Sequence, residues 1–213
     1  MALKVYDYRK DVRNVVITPE IRSRFLKFEP GTGGARHSHD LGHEIFLVLE
    51  GEAEFEIEGE RAILGPGQMC VAYADQKHEV KCVGDKPITM YLSVTPHLEP
   101  THTSWTEAGE KKPFRYGPST ARERAEAGLP PLDPSALIDE HVAASNALAE
   151  AAAASAQEQE LQAVELRRAL AAGDKAAAKA AVDAMWAGIY ATCKALSAME
   201  TVWNQLSPAA TAE

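Results

Sequence analysis

Cysteine is scarce in this 213-residue chain: Cys70, Cys82 and Cys193 are three in number, far apart and without a C-x-x-C pair. That excludes a disulfide framework and a cysteine zinc site, and it points to a reducing cytoplasm. Basic residues are also in deficit, with 22 Lys and Arg against 31 Asp and Glu, a formal charge of −9. No Lys/Arg cluster forms a basic stripe, so nucleic acid and anionic membrane are not expected partners. Long apolar runs are missing too. The amino terminus is charged at Lys4, Asp7, Arg9, Lys10 and Asp11, unlike a signal peptide, and the alanine-rich tract near the C-terminus is interrupted by Glu150. Glycine, finally, nearly vanishes after Leu129, where only Gly173 and Gly188 occur. The chain therefore changes character along its length.

What the first half does contain is concentrated between Gly31 and Gly51, GTGGARHSHDLGHEIFLVLEG. His37 and His39 are two apart, so on a strand both imidazoles leave the same face. Glu44 follows after the turn-prone insert Asp40-Leu41-Gly42. From Glu44 the sequence reads as a buried strand, with Glu44, Phe46 and Val48 on one face and Ile45, Leu47 and Leu49 on the other. His43 belongs to the face opposite Glu44 and is set aside. Two imidazoles and a carboxylate can converge here, a donor set for a metal ion.

The spacing Gly31, five residues, His37-x-His39, four residues, Glu44, six residues, Gly51 resembles the first motif of the cupin superfamily. Gly67, followed after ten residues by His78, is similar to the glycine-to-histidine spacing of the second. In that stretch the family's proline, glycine and asparagine are replaced by Tyr73, Asp75 and Cys82. The resemblance covers roughly residues 20 to 95. It implies a mainly β jelly-roll barrel holding one divalent metal ion per chain through His37, His39, Glu44 and His78. Such a donor set suits Fe(II), Mn(II), Zn(II), Ni(II) or Cu(II) and leaves positions free for water or substrate.

Read in order, the chain supports a sandwich or barrel on its own terms. Two β-like runs, 12–18 and 21–28, lead into the glycine-rich turn Gly31 to Gly34. No strand-to-helix context or Walker-type lysine makes that turn a phosphate cradle. From Glu50 to Glu60 the residues alternate, placing Glu52, Glu54, Glu56 and Glu58 on a face expected to be solvated, opposite Ala53, Phe55 and Ile57. Gly59 and Gly65-Pro66-Gly67 punctuate further short strands at 61–64, 69–73, 79–83 and 88–94. Residues 1–95 are therefore expected to form the barrel.

Seven of the twelve prolines fall between Pro96 and Pro134, so 96–133 is expected to be an irregular wrap or linker. His97 and His102 within it are expected to be exposed loop histidines, with a lesser chance of reaching the barrel mouth. Beyond it, Asp133-Pro134 is a helix start and Gly173-Asp174 a stop followed by a fresh cap. Residues 134–207 are expected to form a helical hairpin, making the whole α+β. The first helix is expected to break near Gln157 to Glu160. The second carries a seam of Val182, Met185, Ile189, Thr192, Leu196, Met199, Trp203 and Leu206. A helix of about thirty residues is roughly 45 Å long, more than capping one small barrel requires. The hairpin is therefore expected to make a homodimer, with a lid over the barrel as the lesser alternative.

Three activities compete. The first is a dioxygenase acting on a small organic molecule, as implied by the resemblance. The second is a redox-neutral isomerase, lyase or hydrolase using the ion as a Lewis acid. The third is a non-catalytic binding module. Cys70 and Cys82 read as small core residues rather than nucleophiles. Tyr73, Tyr91 and His102 are the candidates for a general acid or base.

Overall fold

The computed structural model describes residues 3–117 and 119–211, and the chain divides into two compact units that part between Leu129 and Pro130. In the first unit ten strands form two five-stranded antiparallel sheets. One has the order β1 (Asn14–Ile17), β2 (Arg22–Phe28), β9 (Ile88–Thr95), β4 (His43–Glu50) and β7 (Met69–Ala72). The other has the order β10 (Thr103–Ser104), β3 (Gly33–Ser38), β8 (His78–Cys82), β5 (Ala53–Ile57) and β6 (Glu60–Leu64). This is a two-sheet β-sandwich, with a long helical region after it.

Alternation decides which side chains fill the space between the sheets. In β4, Glu44, Phe46 and Val48 point inward, and they meet Ala53, Phe55, Val80, Cys82, Met90 and Leu92 in the core. Gly33 shows how tightly β3 and β8 approach: a Cβ there would stand 2.1 Å from the Val80 carbonyl oxygen. Only glycine fits that position. The glutamate face of β5 is less open than the alternation predicts. Glu56 is buried, held by Arg61 at 2.6 Å and Arg36 at 3.4 Å. Two guanidinium groups folded over the carboxylate cover it.

The interval 96–133 is more ordered than its prolines suggest. Thr103 and Ser104 pair with Ser38 and His37 as an extra edge strand, and Ser119–Glu126 forms helix α1. The composition of α1, STARERAE, is rich in helix formers, and its end is marked by Gly128 at φ 68°.

The second unit is an antiparallel helical hairpin, α2 (Pro134–Ala172) and α3 (Lys175–Thr211). Asp133 caps α2, accepting from Ser135 N at 3.0 Å, and Gly173 ends it at φ 68°. Asp174 then caps α3 through Ala176 N and Ala177 N. The break expected near 157–160 does not occur. Gln162 Nε2 donates to Glu158 Oε1 at 2.9 Å along α2, and Gln159 Nε2 donates to Met185 O at 2.9 Å across the hairpin. Polar residues there support the helix and its packing. Gly188 lies directly on Ser155, where a Cβ would be 3.3 Å from Ser155 Cα.

The seam read from α3 is two faces, not one. Met185 and Thr192 turn toward α2, with the Thr192 hydroxyl donating to Ala151 O. Val182, Trp186, Ile189 and Leu196 are left exposed. No helix among the described residues is long and apolar enough to cross a membrane.

Candidate metal centre

Four side chains meet inside the barrel. His37 sits on β3 and His39 just beyond it, Glu44 on β4 and His78 on β8, and one potential ligand atom from each lies within 4.8 Å of the others. Register explains the convergence: His37 pairs directly with His78 across β3 and β8. The insert between His39 and Glu44 turns tightly, for a Cβ on Gly42 would come within 2.7 Å of Val94 Cγ1. Asp40 in that insert is tied down by Thr103 Oγ1 at 2.6 Å and Lys111 at 3.0 Å.

Each imidazole is oriented from behind. His37 Nδ1 donates to Ala35 O at 2.8 Å, His78 Nδ1 to Gln76 O at 2.8 Å, and His39 Nδ1 to Thr101 O. A carbonyl oxygen can only accept, so Nδ1 carries the proton in all three rings. In the neutral imidazole Nε2 is then a lone pair. His39 Nε2 and His78 Nε2 both lie 2.9 Å from Glu44 Oε2, and His37 Nε2 lies 3.7 Å from the same oxygen. His37 Nε2 is buried with no hydrogen-bond partner among the described residues. Lone pairs crowding a carboxylate repel it unless positive charge stands among them. Extra protons on the rings or a cation would satisfy the arrangement, and the outward Nδ1 tethers are the pattern that orients histidine ligands. The donor set is compatible with a metal ion.

Burial pushes the Glu44 carboxyl upward, but the three surrounding imidazoles outweigh it and hold the group well below the usual carboxylate range. The carboxyl is therefore an anion in the folded protein.

The second motif folds despite its departures. Asp75 takes the left-handed conformation at φ 67° where the family has glycine, one of the few side chains that tolerates it. Its amide donates to His39 O at 2.7 Å, and Gln76 Oε1 accepts from Tyr73 N at 2.9 Å. The turn that delivers His78 is thereby attached to the first motif. Cys82 is simply buried core. Cys70 also faces inward, and burial pushes its thiol up to about 12, leaving it a poor nucleophile.

Of the candidates for a proton-transfer group, the structure brings in one. The His102 ring lies 4.7 Å from that of His37 and 4.9 Å from that of His39. It remains open to solvent. Desolvation where the ring packs on its neighbours, then the nearby His37 ring, the Arg22 guanidinium and the His39 ring, push its pKa down to about 2. Tyr73 stays outside, edge-on to His43, and Tyr91 bonds Ser23 at 2.9 Å on the outer sheet face. His43 accepts from Ala74 N and stays out of the cluster.

The two loop histidines part ways: His102 is exposed as expected but lies against the cluster, the lesser alternative, while His97 contradicts the expectation. His97 is fully buried, with Nδ1 2.9 Å from Thr101 Oγ1, and burial pushes it down to about 4. His102 is part of the site. Nothing periodic in the sequence marks either one: β10 is only two residues long, and its pairing with Ser38 and His37 is what brings His102, the residue before it, against His37 and His39. A cavity of about 290 Å³ lined by His39, Val94, Leu98, Thr101 and Phe114 lies behind the His39 ring. It touches none of the other three cluster residues.

Residues 24–95 match the family described as Cupin domain. Similar solved structures include an uncharacterized conserved protein with a double-stranded beta-helix domain from Klebsiella pneumoniae. It is 24% identical, covering 45% of this chain and 91% of that one, at a TM-score of 0.42. KdgF from Halomonas sp. is 28% identical over 41% of this chain and 79% of its own, at a TM-score of 0.38. A cupin protein from Bacteroides fragilis is 22% identical over 45% and 83%, at a TM-score of 0.40. No curated protein matches the chain.

Proposed function

Because residues 24–95 form a cupin domain, we propose that His37, His39, Glu44 and His78 hold one divalent metal ion in an enzyme acting on a small organic molecule, as a dioxygenase. The observation that carries this reading is the donor geometry. Three Nε2 atoms, each with its opposite nitrogen tethered to a carbonyl, face one buried carboxylate. Such an ion, when bound, supplies the redox or Lewis-acid chemistry. The chain's own part is to fix the ring tautomers, keep Glu44 ionised and hold the donors in a partly dry pocket. Oxidative chemistry is favoured because Tyr73 and Tyr91 lie away from the cluster and Cys70 is a poor nucleophile.

A redox-neutral lyase or isomerase is the second reading, and one observation favours it. His102 stands against His37 and His39 and is open to solvent, where a neutral imidazole can hydrogen-bond a substrate held at the cluster. Elemental analysis of protein purified without a metal-binding tag, with oxygen uptake on phenols, diketones and thiols, separates the two. Iron, manganese, nickel or copper near one per chain with oxygen uptake supports the dioxygenase. Zinc without uptake favours the second reading, and a metal-free protein overturns both.

The hairpin completes the proposal as a homodimerising module. Val182, Trp186, Ile189 and Leu196 line one exposed stripe of α3, a pattern that a second copy of the same helix would cover. The cytoplasm is the proposed location, given the unpaired cysteines.

A further inference from the structure

A guanidinium is permanently charged, yet Arg22 is only 5% exposed. Register places it on the inner face beside the metal centre. Arg22 is opposite Val94 across β2 and β9, and Val94 is opposite Glu44 across β9 and β4. Among the described residues Arg22 has no ion pair, and its Nε is buried without a hydrogen-bond partner.

The acidic groups in its vicinity are engaged elsewhere. Glu44 serves the three histidines. Glu99 accepts from Gly117 N at 2.8 Å, from Thr101 N at 3.1 Å and from the Thr101 hydroxyl at 3.2 Å. Both act on Arg22 through space only, offsetting part of the lowering that burial imposes on it. Arg22 is also near enough to His102 for its charge to be felt there. Removing a cation from water without a counter-ion is costly, and a bound anion would offset that cost.

Arg24 on the same strand also has a buried Nε without a hydrogen-bond partner and feels the Glu44 charge, but its alignment differs. It is aligned with Leu92 and Phe46 rather than with Glu44. It lines a separate cavity of about 300 Å³ with Asn14, Ser119 and Arg122. Only Arg22 is aligned with the metal ligands.

We propose that Arg22 is the anion-binding residue of the substrate site and holds the carboxylate of a small organic acid beside the metal centre. This rests on the reading of the cluster as a metal centre in an enzyme. A carboxylate is preferred to a phosphate because the site offers a single aligned guanidinium. The planar fork of arginine also matches the two oxygens of a carboxylate.

The test uses the full chain stripped of metal, so that it does not depend on turnover. Acetate, glycolate, benzoate and inorganic phosphate are titrated into the wild type and into R22Q, R22K and R24Q by calorimetry. The wild-type arginine Nε–H resonances are followed by nuclear magnetic resonance. At least one carboxylate is expected to bind the wild type more tightly than phosphate does and to shift the Arg22 Nε–H signal. R22Q is expected to weaken that binding at least tenfold, R22K to an intermediate degree because an ammonium cannot fork, and R24Q less than threefold.

Failure of every carboxylate to bind, equal binding by R22Q, or preference for phosphate overturns the proposal. If R22Q does not fold, an unmoved Arg22 Nε–H signal in the wild type overturns it alone. Metal content of R22Q, measured alongside, is expected to equal that of the wild type. Metal lost from R22Q with carboxylate binding retained would make Arg22 a charge partner of Glu44 and overturn the proposal. A wild type that takes up no metal but binds carboxylate through Arg22 would instead sink the enzyme reading and leave the anion site standing.

Discussion

The two units of this chain invert the usual distribution of residues in opposite ways. The barrel buries charged and polar groups: Arg22, His39, Glu44, His78, His97 and Glu99 are all nearly inaccessible. The hairpin exposes apolar ones, with Leu161 and Leu170 at 65% and Trp186 at 60%. Each inversion costs free energy in an isolated chain, by desolvation in the first case and by exposed apolar area in the second. In the barrel the anomaly points inward, to the histidine cluster and Arg22. In the hairpin it points outward, along α3. Buried polar and exposed apolar residues are the informative ones, and here they separate by unit.

Changes confined to one unit should therefore leave the other's property intact. The largest effect is expected from His37→Ala with His39→Ala, which removes two of four donors. Metal content by elemental analysis falls from near one per chain to near none, while the sedimentation coefficient is unchanged. Next, Trp186→Glu with Ile189→Glu places charge in the exposed stripe of α3. The chain is expected to sediment as a monomer with its metal content unchanged, and a dimer that persists would move the contact elsewhere. Gly33→Ala tests the barrel alone. A Cβ 2.1 Å from a backbone oxygen cannot be absorbed by a side-chain shift, and about 3 kcal/mol of stability is expected to be lost in chemical denaturation. The smallest change is Asp133→Ala, which removes the cap of α2 and is expected to cost about 1 kcal/mol, with metal content unaltered.

The parts legible in the sequence are those governed by short periods and fixed spacing. Glu44, Phe46 and Val48 could be placed on one face by alternation, and His37, His39 and His78 by their distances from glycines. Asp133, Gly173 and Asp174 announced the helix ends because capping is local. What was not legible depends on contacts distant in sequence. Glu56 reads as a solvated strand residue until Arg36 and Arg61 fold over it. His102 reads as a loop residue until β10 joins β3, because a two-residue strand has no period to detect. The α3 seam combined two faces, since an unbroken run of Val, Met, Ile and Leu carries no mark of which side meets Ser155 and Ala151. Arg22 attracted no notice, for an arginine in RSRFLKF looks like the polar half of an edge strand. Its direction is set by the pairing of β2 with β9.

The tether from the His39 ring to the Thr101 carbonyl fixes where this protein can be divided. The family match ends at residue 95, and a fragment cut there would retain all four donors. It would also lose the acceptor that pins the proton on one of them. The His39 imidazole would then be free to exchange tautomers and to rotate, so the excised domain would present a less ordered donor set than the intact chain. The smallest autonomous portion of the molecule must reach past Thr101, into a stretch that looks dispensable by sequence similarity alone.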